Sequence, residues 1–517
     1  MKKYNYRRFL ALISILAISA VSCTKLDEEV LGSKFINAST TASTADLNGV
    51  YSSLNAFTDQ ANMYALQEHT TDEMMGPTRG TDWGDFGTWR KLHQHTWDPF
   101  HNQINTSWDQ LNTGVYRSTQ VLTKAADNQI KAEASFLRAF FMFNVVDLFG
   151  QQPFRNPDAS PEENPKVFTR TEATDMIIKD LEFAETTLPL GSPGKATKTA
   201  AQALLAKVYL NKAVYTSATP GGTYTFAKAD MDKAIDYANR VISTGGKSLT
   251  STYFNNFSWD NSTLSNELIF VIANSETQSP GNSRNRWRMT LHYRSFDSGT
   301  NDDGWNGFTT LADFYNKFEN NDQRKGGDFP GLTDKIGLKT GFLVGQQKGI
   351  GGKNLSDRSG NPLIFTPAVN LLFATESDGI RVIKYMPKPG ADNKVRDDNT
   401  GNDYIFLRYA DVLLMKAEAI LRGGTDPQGQ TALGIVNNLR SVRGASQLTA
   451  LSTVELLSER GRELYWEGWR RNDQIRFGTF NDPVDQRANK SDPSRTLFPI
   501  PQRAVDTNPN LKQNPGY

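Results

Sequence analysis

Two blocks of helical periodicity, separated by a long stretch that lacks it, constrain this chain more than any other feature. In the first block Ile130, Ala134, Leu137, Phe141, Val145 and Leu148 recur at steps of three and four, which puts them on one face of an α-helix. Gly150 and Pro153 stop that helix. Three more stripes follow: Ala173 to Leu188, Ala201 to Val208, and Met231 to Ile242, the last closed by Gly245-Gly246. Trp108 opens another pattern through Leu111, Val115 and Leu122. The second block runs Leu413 to Leu421, Leu433 to Leu439, and then Ser452-Thr453-Val454-Glu455, a capping box that starts a helix reaching Leu464. Between the blocks, over 246–402, Gly, Asn, Ser and Asp rise and the stripes fade, apart from a short one from Leu311 to Phe318. Glu267 to Val271 reads as a short strand there. The expected fold is mainly α. It consists of tetratricopeptide-like helical pairs with a loop-rich central insertion carrying a few short strands.

The N-terminus has a different logic. Lys2, Lys3, Arg7 and Arg8 precede an apolar run from Phe9 to Val21, which ends at Ala20-Val21-Ser22-Cys23. A basic start, a short apolar segment and small residues before a cysteine fit a lipoprotein leader over 1–22. Cys23 is the one cysteine of the chain, so it has no internal disulfide partner. Lipidation gives it a use, and several acyl chains anchor a protein stably. The remaining 23–517 read as one domain, with helical blocks at about 40–245 and 403–517 around the lobe at 246–402.

Loss of the leader changes the formal charge from +1 to −3. So small a net charge argues against nucleic acid, which is met by a clustered basic field. Mean hydropathy is −0.53. No run beyond the leader is long and apolar enough for a spanning helix.

Three segments resemble one known family. Lys131-Ala132-Glu133-Ala134-Ser135-Phe136-Leu137-Arg138-Ala139, continuing to Leu148-Phe149-Gly150, is similar to the hallmark helix of SusD/RagB proteins, the glycan-binding lipoproteins of starch-utilisation type. Glu459-Arg460-Gly461-Arg462-Glu463-Leu464, with Glu467-Gly468-Trp469-Arg470-Arg471-Asn472-Asp473, resembles their C-terminal signature. The ending Asn508-Pro509-Asn510-Leu511 and Gln513-Asn514-Pro515-Gly516-Tyr517 is similar too. The resemblance implies a cell-surface, outer-membrane lipoprotein anchored through Cys23, with Asp27-Glu28-Glu29 as the surface-export tag. It implies that the protein passes glycan to a TonB-dependent porin of SusC type and is not an enzyme. It also implies that Glu133, Arg138, Glu459, Arg462 and Glu463 serve helix–helix ion networks.

A sugar site needs flat aromatics for C–H faces and planar polar groups for hydroxyl edges. Trp108, Trp466 and Trp469 read as core. Trp83, Trp287 and Trp305 instead lie among glycines, charges and amides, in the N-terminal loop and central insertion where the family places its ligand aromatics. They form the expected platform, with Arg79, Asp82, Asp85, Arg286, Tyr293, Asp303 and Asn306 as hydrogen-bonding candidates. A flat platform would suit a β-linked plant-type glycan. No cofactor is expected, and a structural calcium ion is left open. His93, His95 and His101 are the one histidine arrangement with metal-ligand spacing, but they read as polar packing. Gly349 to Asn354 lacks the spacing and the Ser/Thr of a phosphate loop. A surface carbohydrate-active enzyme and a scaffold that binds no sugar are the alternatives.

Overall fold

The computed structural model describes residues 41–244, 246–296, 298, 302–395 and 400–517. The leader, Cys23 and the acidic tag lie outside the described residues. The body bears out the mainly α, tetratricopeptide-like reading. We label its principal helices α1 (Asn102–Lys124), α2 (Asn128–Phe149), α3 (Arg170–Thr187), α4 (Lys198–Tyr215), α5 (Lys228–Thr244), α6 (Tyr409–Leu421), α7 (Ala432–Val442), α8 (Thr453–Leu464) and α9 (Arg470–Arg476). Each of α1 to α4 packs on its successor, and α5 then packs on α6, so the second block continues the stack begun by the first.

Local chemistry explains the helix limits. Asp127 caps α2 by accepting from the amides of Gln129 and Ile130, and Gly150, at φ 72°, turns the chain out of it. Ser452 caps α8 through the Glu455 amide, but the box is only half made. The Glu455 carboxylate turns to Arg462 instead of back to the cap. Gly114 lets α1 approach α2 closely, since a Cβ there would lie 2.6 Å from the Phe141 ring. Trp108, Trp466 and Trp469 are buried, as the sequence predicts.

The central lobe is irregular, with short strands. β1 (Leu268–Ile272) pairs antiparallel with β4 (Tyr404–Arg408), and β2 (Thr340–Leu343) pairs with β3 (Arg381–Ile383). Phe270 and Phe406 press the β1–β4 pair onto α2, with ring centroids 4.8 Å from Phe136 and 5.1 Å from Phe140 respectively.

Buried charge joins lobe to helices. Arg408 of β4 reaches Glu267 at 3.0 Å, Glu463 of α8 at 2.7 Å and Glu467 at 2.8 Å. Arg443 meets the same Glu267 and Glu463 at 2.7 and 2.8 Å. Arg324 bridges Asp322, Glu459 and Glu463. Burial alone would raise the Glu459 carboxyl, but Arg324, Arg462 and Arg440 outweigh it and hold the group at about 2. The signature acids Glu459 and Glu463 thus serve an ion network, with most partners far away in sequence. Arg138 pairs with Asp180 of α3 at 2.7 Å, and Glu133 accepts from the Tyr51 hydroxyl.

Removing one member strands the others in a low-dielectric interior. Glu463→Ala is expected to cost about 3–5 kcal/mol of unfolding free energy. The solvent-exposed pair Lys228–Asp232 gives the control: Lys228→Ala should leave the urea midpoint unchanged. Equal midpoints for the two variants would refute the network's role.

Candidate functional site

Three chain segments are stitched side by side on the lobe. Met75 and Thr309 exchange main-chain hydrogen bonds at 2.8 and 2.9 Å. Thr78 donates to Leu371 and accepts from Ala374, both at 3.0 Å, and Thr310 donates to Ile380 at 3.1 Å. Arg79 and Asp82 close a tight turn between their own amides and carbonyls. This places the 78–87 loop beside residues 305–308 and 371–378.

Trp83 and Trp305 meet there. The Trp83 indole N–H donates to the Trp305 carbonyl at 2.7 Å. Its ring lies against Gly307, where a Cβ would come within 2.6 Å, and near Phe308 and Trp89 at 4.9 and 5.9 Å. Trp83 is therefore partly buried and braced. Trp305 is partly buried too, packed against the core, with the Arg288 guanidinium 5.6 Å from its ring.

The third expected platform member is not on this face. Trp287 is fully buried beneath it, so a sugar cannot stack on it. The polar flanks that singled it out turn inward: Arg286 lies 3.5 Å over the Tyr64 ring and donates to the carbonyls of Thr58 and Asp59. Arg286 is a buried strut, not a sugar ligand. The same correction holds for Arg79, Asp303 and Asn306. Arg79 donates to the carbonyls of Gly307, Thr375 and Asp378, and burial lowers its pKa to about 10. Asp303 accepts from the Phe296 amide at 2.7 Å. Asn306, at φ 51°, links the Glu376 carbonyl to Arg381. A buried polar group must be satisfied, and here loop carbonyls accept from Arg79, Arg286 and Asn306 while a loop amide donates to Asp303. Asp85 is exposed, but its carboxylate is taken by the Trp89 indole N–H at 2.5 Å.

Asp82 and Tyr293 do face outward, within a cluster that extends beyond the sequence-derived set. The Tyr293 hydroxyl donates to Asp82. Arg358 lies 4.0 Å over the Tyr293 ring, 3.4 Å from Asp82 and 2.5 Å from Glu376. Glu376 also accepts from His292 at 3.0 Å. Burial alone would raise the Glu376 carboxyl, but hydrogen bonds from Arg358 and His292 hold it below the usual range. Burial keeps His292 neutral, with a pKa of about 4. Nothing periodic marks Arg358, Glu376 or His292 in the sequence. The cluster offers planar donors and acceptors of fixed geometry beside two partly buried indoles.

The three histidines with metal-ligand spacing bond separate carbonyls. His93 meets Asp485, His95 meets Thr70 and His101 meets Thr88. Among the described residues, no group of three His, Cys, Asp or Glu side chains could hold a metal ion. No described helix is long and apolar enough to cross a membrane. A groove of about 510 Å³, lined by Ile242, Tyr409, Gln430, Ile435 and Asn438, opens between α5 and α7 and shares no residue with this face.

Comparison with known proteins agrees with this architecture. The sequence model of the SusD family matches residues 367–517, and a second one, described as starch-binding associating with outer membrane, matches 20–210. Starch-binding protein SusD of Bacteroides thetaiotaomicron is 28% identical over 83% of this chain and 81% of its own length. The chain thus resembles SusD proteins at both ends, and the 28% identical relative extends the likeness over most of its length. A SusD-like protein, P2, of Formosa agariphila is 24% identical, with both chains fully covered. Among solved SusD-like structures, a Parabacteroides distasonis protein superposes with a TM-score of 0.70 at 21% identity, covering 92% of this chain and 98% of its own. A laminarin-binding SusD-like protein gives 0.68 at 21% identity, covering 92% and 100%. Surface glycan-binding protein A of Bacteroides thetaiotaomicron, solved with laminarihexaose, gives 0.65 at 20% identity, covering 91% and 98%.

The buried histidines set a pH dependence for this body. His69, His93 and His292 have pKa values of about 3, 4 and 4 in the fold, and His95 is lowered too, all chiefly by burial. Unfolded, each takes a proton near pH 6.5. The unfolded state therefore binds more protons as pH falls from about 6.5 to 4, and stability is lost across that window. Glu68, raised to about 7 by burial, and Glu73, raised likewise, act in the opposite sense between about pH 4.5 and 7. Asp403, raised by burial to about 6, and Asp180 and Asp303, raised too, join these carboxyls, while His101, lowered by burial, joins the histidines. The two sets oppose each other in stability, so the check is direct: the ring signals of His69, His93 and His292 in NMR should stay in the neutral form from pH 6.5 to 5, and protonation within that window would refute their burial.

Proposed function

We propose that this chain is a cell-surface glycan-binding lipoprotein, anchored through Cys23, that captures oligo- or polysaccharide and delivers it to a SusC-type TonB-dependent porin. The partly buried Trp83–Trp305 pair beside the Asp82–Tyr293–Arg358–Glu376 cluster carries the reading. Sugars stack their C–H faces on such rings and hydrogen-bond their edges to such planar groups. The names of the starch- and laminarin-binding relatives support the ligand class. A β-linked chain is the proposed cargo, in line with the names of the laminarin-binding and laminarihexaose-bound neighbours, and starch, named by the 28% identical relative, is the other outcome. Outer-membrane attachment is supported by the description of the family matched at residues 20–210.

Catalysis is disfavoured by the same geometry. A glycosidase needs one carboxylic acid with a raised pKa to protonate the leaving oxygen. Glu376 is held ionised by Arg358 and His292. On this reading the cluster binds and releases without bond cleavage.

Affinity electrophoresis of residues 24–517 against plant, host and microbial polysaccharides tests the proposal. Retardation by one polymer class, with no reducing ends released, is the expected result; no retardation by any polymer would overturn it. Trp305→Ala should weaken binding about tenfold at an unchanged thermal midpoint, whereas Trp83→Ala should lower both, because its ring also braces the loop. Separately, Cys23→Ala should abolish palmitate labelling, and labelling that persists in the variant would refute the anchor.

A further inference from the structure

The groove between α5 and α7 is a cavity that the proposed function does not use. Both helices pack on α6, and the space left between them is about 510 Å³. Small-ligand sites run to ~300–1,000 Å³. The floor is apolar, made by Ile242 of α5, Leu413 of α6 and Ile435 of α7. The walls are polar, with Tyr409 at the start of α6, Gln430 and Thr431 just before α7, and Asn438 two turns along it. Among the described residues, none of those lining the groove is charged.

Gly434 keeps the space open. It lies in the first turn of α7, among the residues that line the groove. Glycine within a helix is destabilising relative to alanine. Packing does not demand it here: among the described residues, a Cβ would meet only the Thr431 hydroxyl, at 3.0 Å. That hydroxyl caps α7 by accepting from the Gly434 amide. The same kind of cap tolerates a full side chain at the matching position of α3 and α8, where Glu172 follows Thr169 and Glu455 follows Ser452. The polar walls are also available. Lys416, paired with Asp426, donates to the Gln430 carboxamide oxygen at 2.6 Å, which fixes that group and leaves its N–H bonds to donate. Among the described residues, neither the Tyr409 hydroxyl nor the Asn438 carboxamide has a hydrogen-bond partner.

Uncharged groups that both donate and accept, set over an aliphatic floor, match a molecule with hydroxyl edges and C–H faces. An acyl chain would leave the amides and hydroxyls unpaired, and an ion would find no opposite charge. A peptide is disfavoured as well. Strand addition needs an open sheet edge and helix docking a continuous apolar groove, whereas no strand lines this cavity and amides border its floor. We propose that the groove is a second glycan site, taking a short run of uncharged sugar units from a polymer whose main contact is the Trp83–Trp305 face. The inference rests on the glycan-binding reading and adds a separate site to it. The two sites share no residue, so occupancy of one leaves the other open. A polymer long enough to reach both makes its second attachment intramolecular.

The test is affinity electrophoresis of the purified full chain against laminarin and soluble starch. Gly434→Leu, which fills the groove, should weaken retention by the polymer that retards the wild type about threefold to fivefold, at an equal or higher thermal midpoint. Asn438→Leu should do the same from the opposite wall. Either change, added to Trp305→Ala, should abolish the retention that Trp305→Ala alone leaves. Lost retention with a raised midpoint is a pairing that a merely structural role would not produce. Unchanged retention in both variants, with the wild type retarded normally, would overturn the inference and leave glycan binding standing. Unchanged retention with loss of porin co-purification would overturn it in favour of a peptide partner. A wild type retarded by neither these polymers nor any of the broader panel would bring down the underlying reading, and this inference with it.

Discussion

A carboxylate buried without a cation is intolerable, and Glu463 is buried with three. Arg324, Arg408 and Arg443 converge on it from the central lobe, from β4 and from the end of α7. None of these side chains is more than marginally exposed. Taking so many ions out of water yields little net stability. What it enforces is mutual position. If β4 slipped by one residue, Arg408 would leave Glu267, Glu463 and Glu467 at once. A second network works alike, with Arg460, Arg476 and Lys207 sharing Asp411, Glu418 and Asp473, and so locks α4, α6, α8 and α9 together. The helical stack is held by apolar stripes and this second network, and the irregular lobe is held to it by charge and by the Phe270 and Phe406 contacts with α2.

The surface site inherits that rigidity. Its loops have few regular elements of their own. Arg79 and Arg381, both buried, draw loop carbonyls inward, and Asn306 ties one of them to the Glu376 main chain. A guanidinium held by carbonyls organises several strands of loop at once, because its donors form a planar fork. The outward residues Asp82, Tyr293, Arg358 and Glu376 are thereby mounted on a frame that does not need a ligand to order it. Preorganisation of this kind lowers the entropic cost of binding.

The helices were legible because their information is local: period, cap and breaker all lie within a few residues. The α2 stripe and the Gly150 exit are one continuous reading. The ion networks were legible only by half. Glu459 and Glu463 stand out within α8, but Arg324, Arg408 and Arg443 come from remote segments, and no local pattern pairs them. The site was read least well for the same reason. Trp83, Trp287 and Trp305 have similar polar flanks, yet burial is decided by what folds over them. Arg286 turns in toward Tyr64 and takes Trp287 with it. Arg79 and Asn306 are polar loop residues whose partners are main-chain carbonyls, and those leave no trace in a sequence.

The charge state of the outward cluster explains what such a face is suited to. Arg358 lies between Asp82 and Glu376, so two carboxylates share one guanidinium at the edge of solvent. His292 adds a hydrogen bond while staying neutral at ordinary pH. The Glu376 carboxyl, held below its usual range by Arg358 and His292, is not set to protonate a leaving oxygen. The cluster is instead a set of half-satisfied hydrogen-bonding groups that lose little solvation when a hydroxyl replaces a water. As the proposed glycan site, an open face with half-buried indoles desolvates a sugar incompletely, which holds single-chain affinity to roughly the micromolar-to-millimolar range and lets long polymers gain by repeated engagement. Under the proposed role this weakness is required: a protein that must surrender its cargo to a porin cannot enclose it.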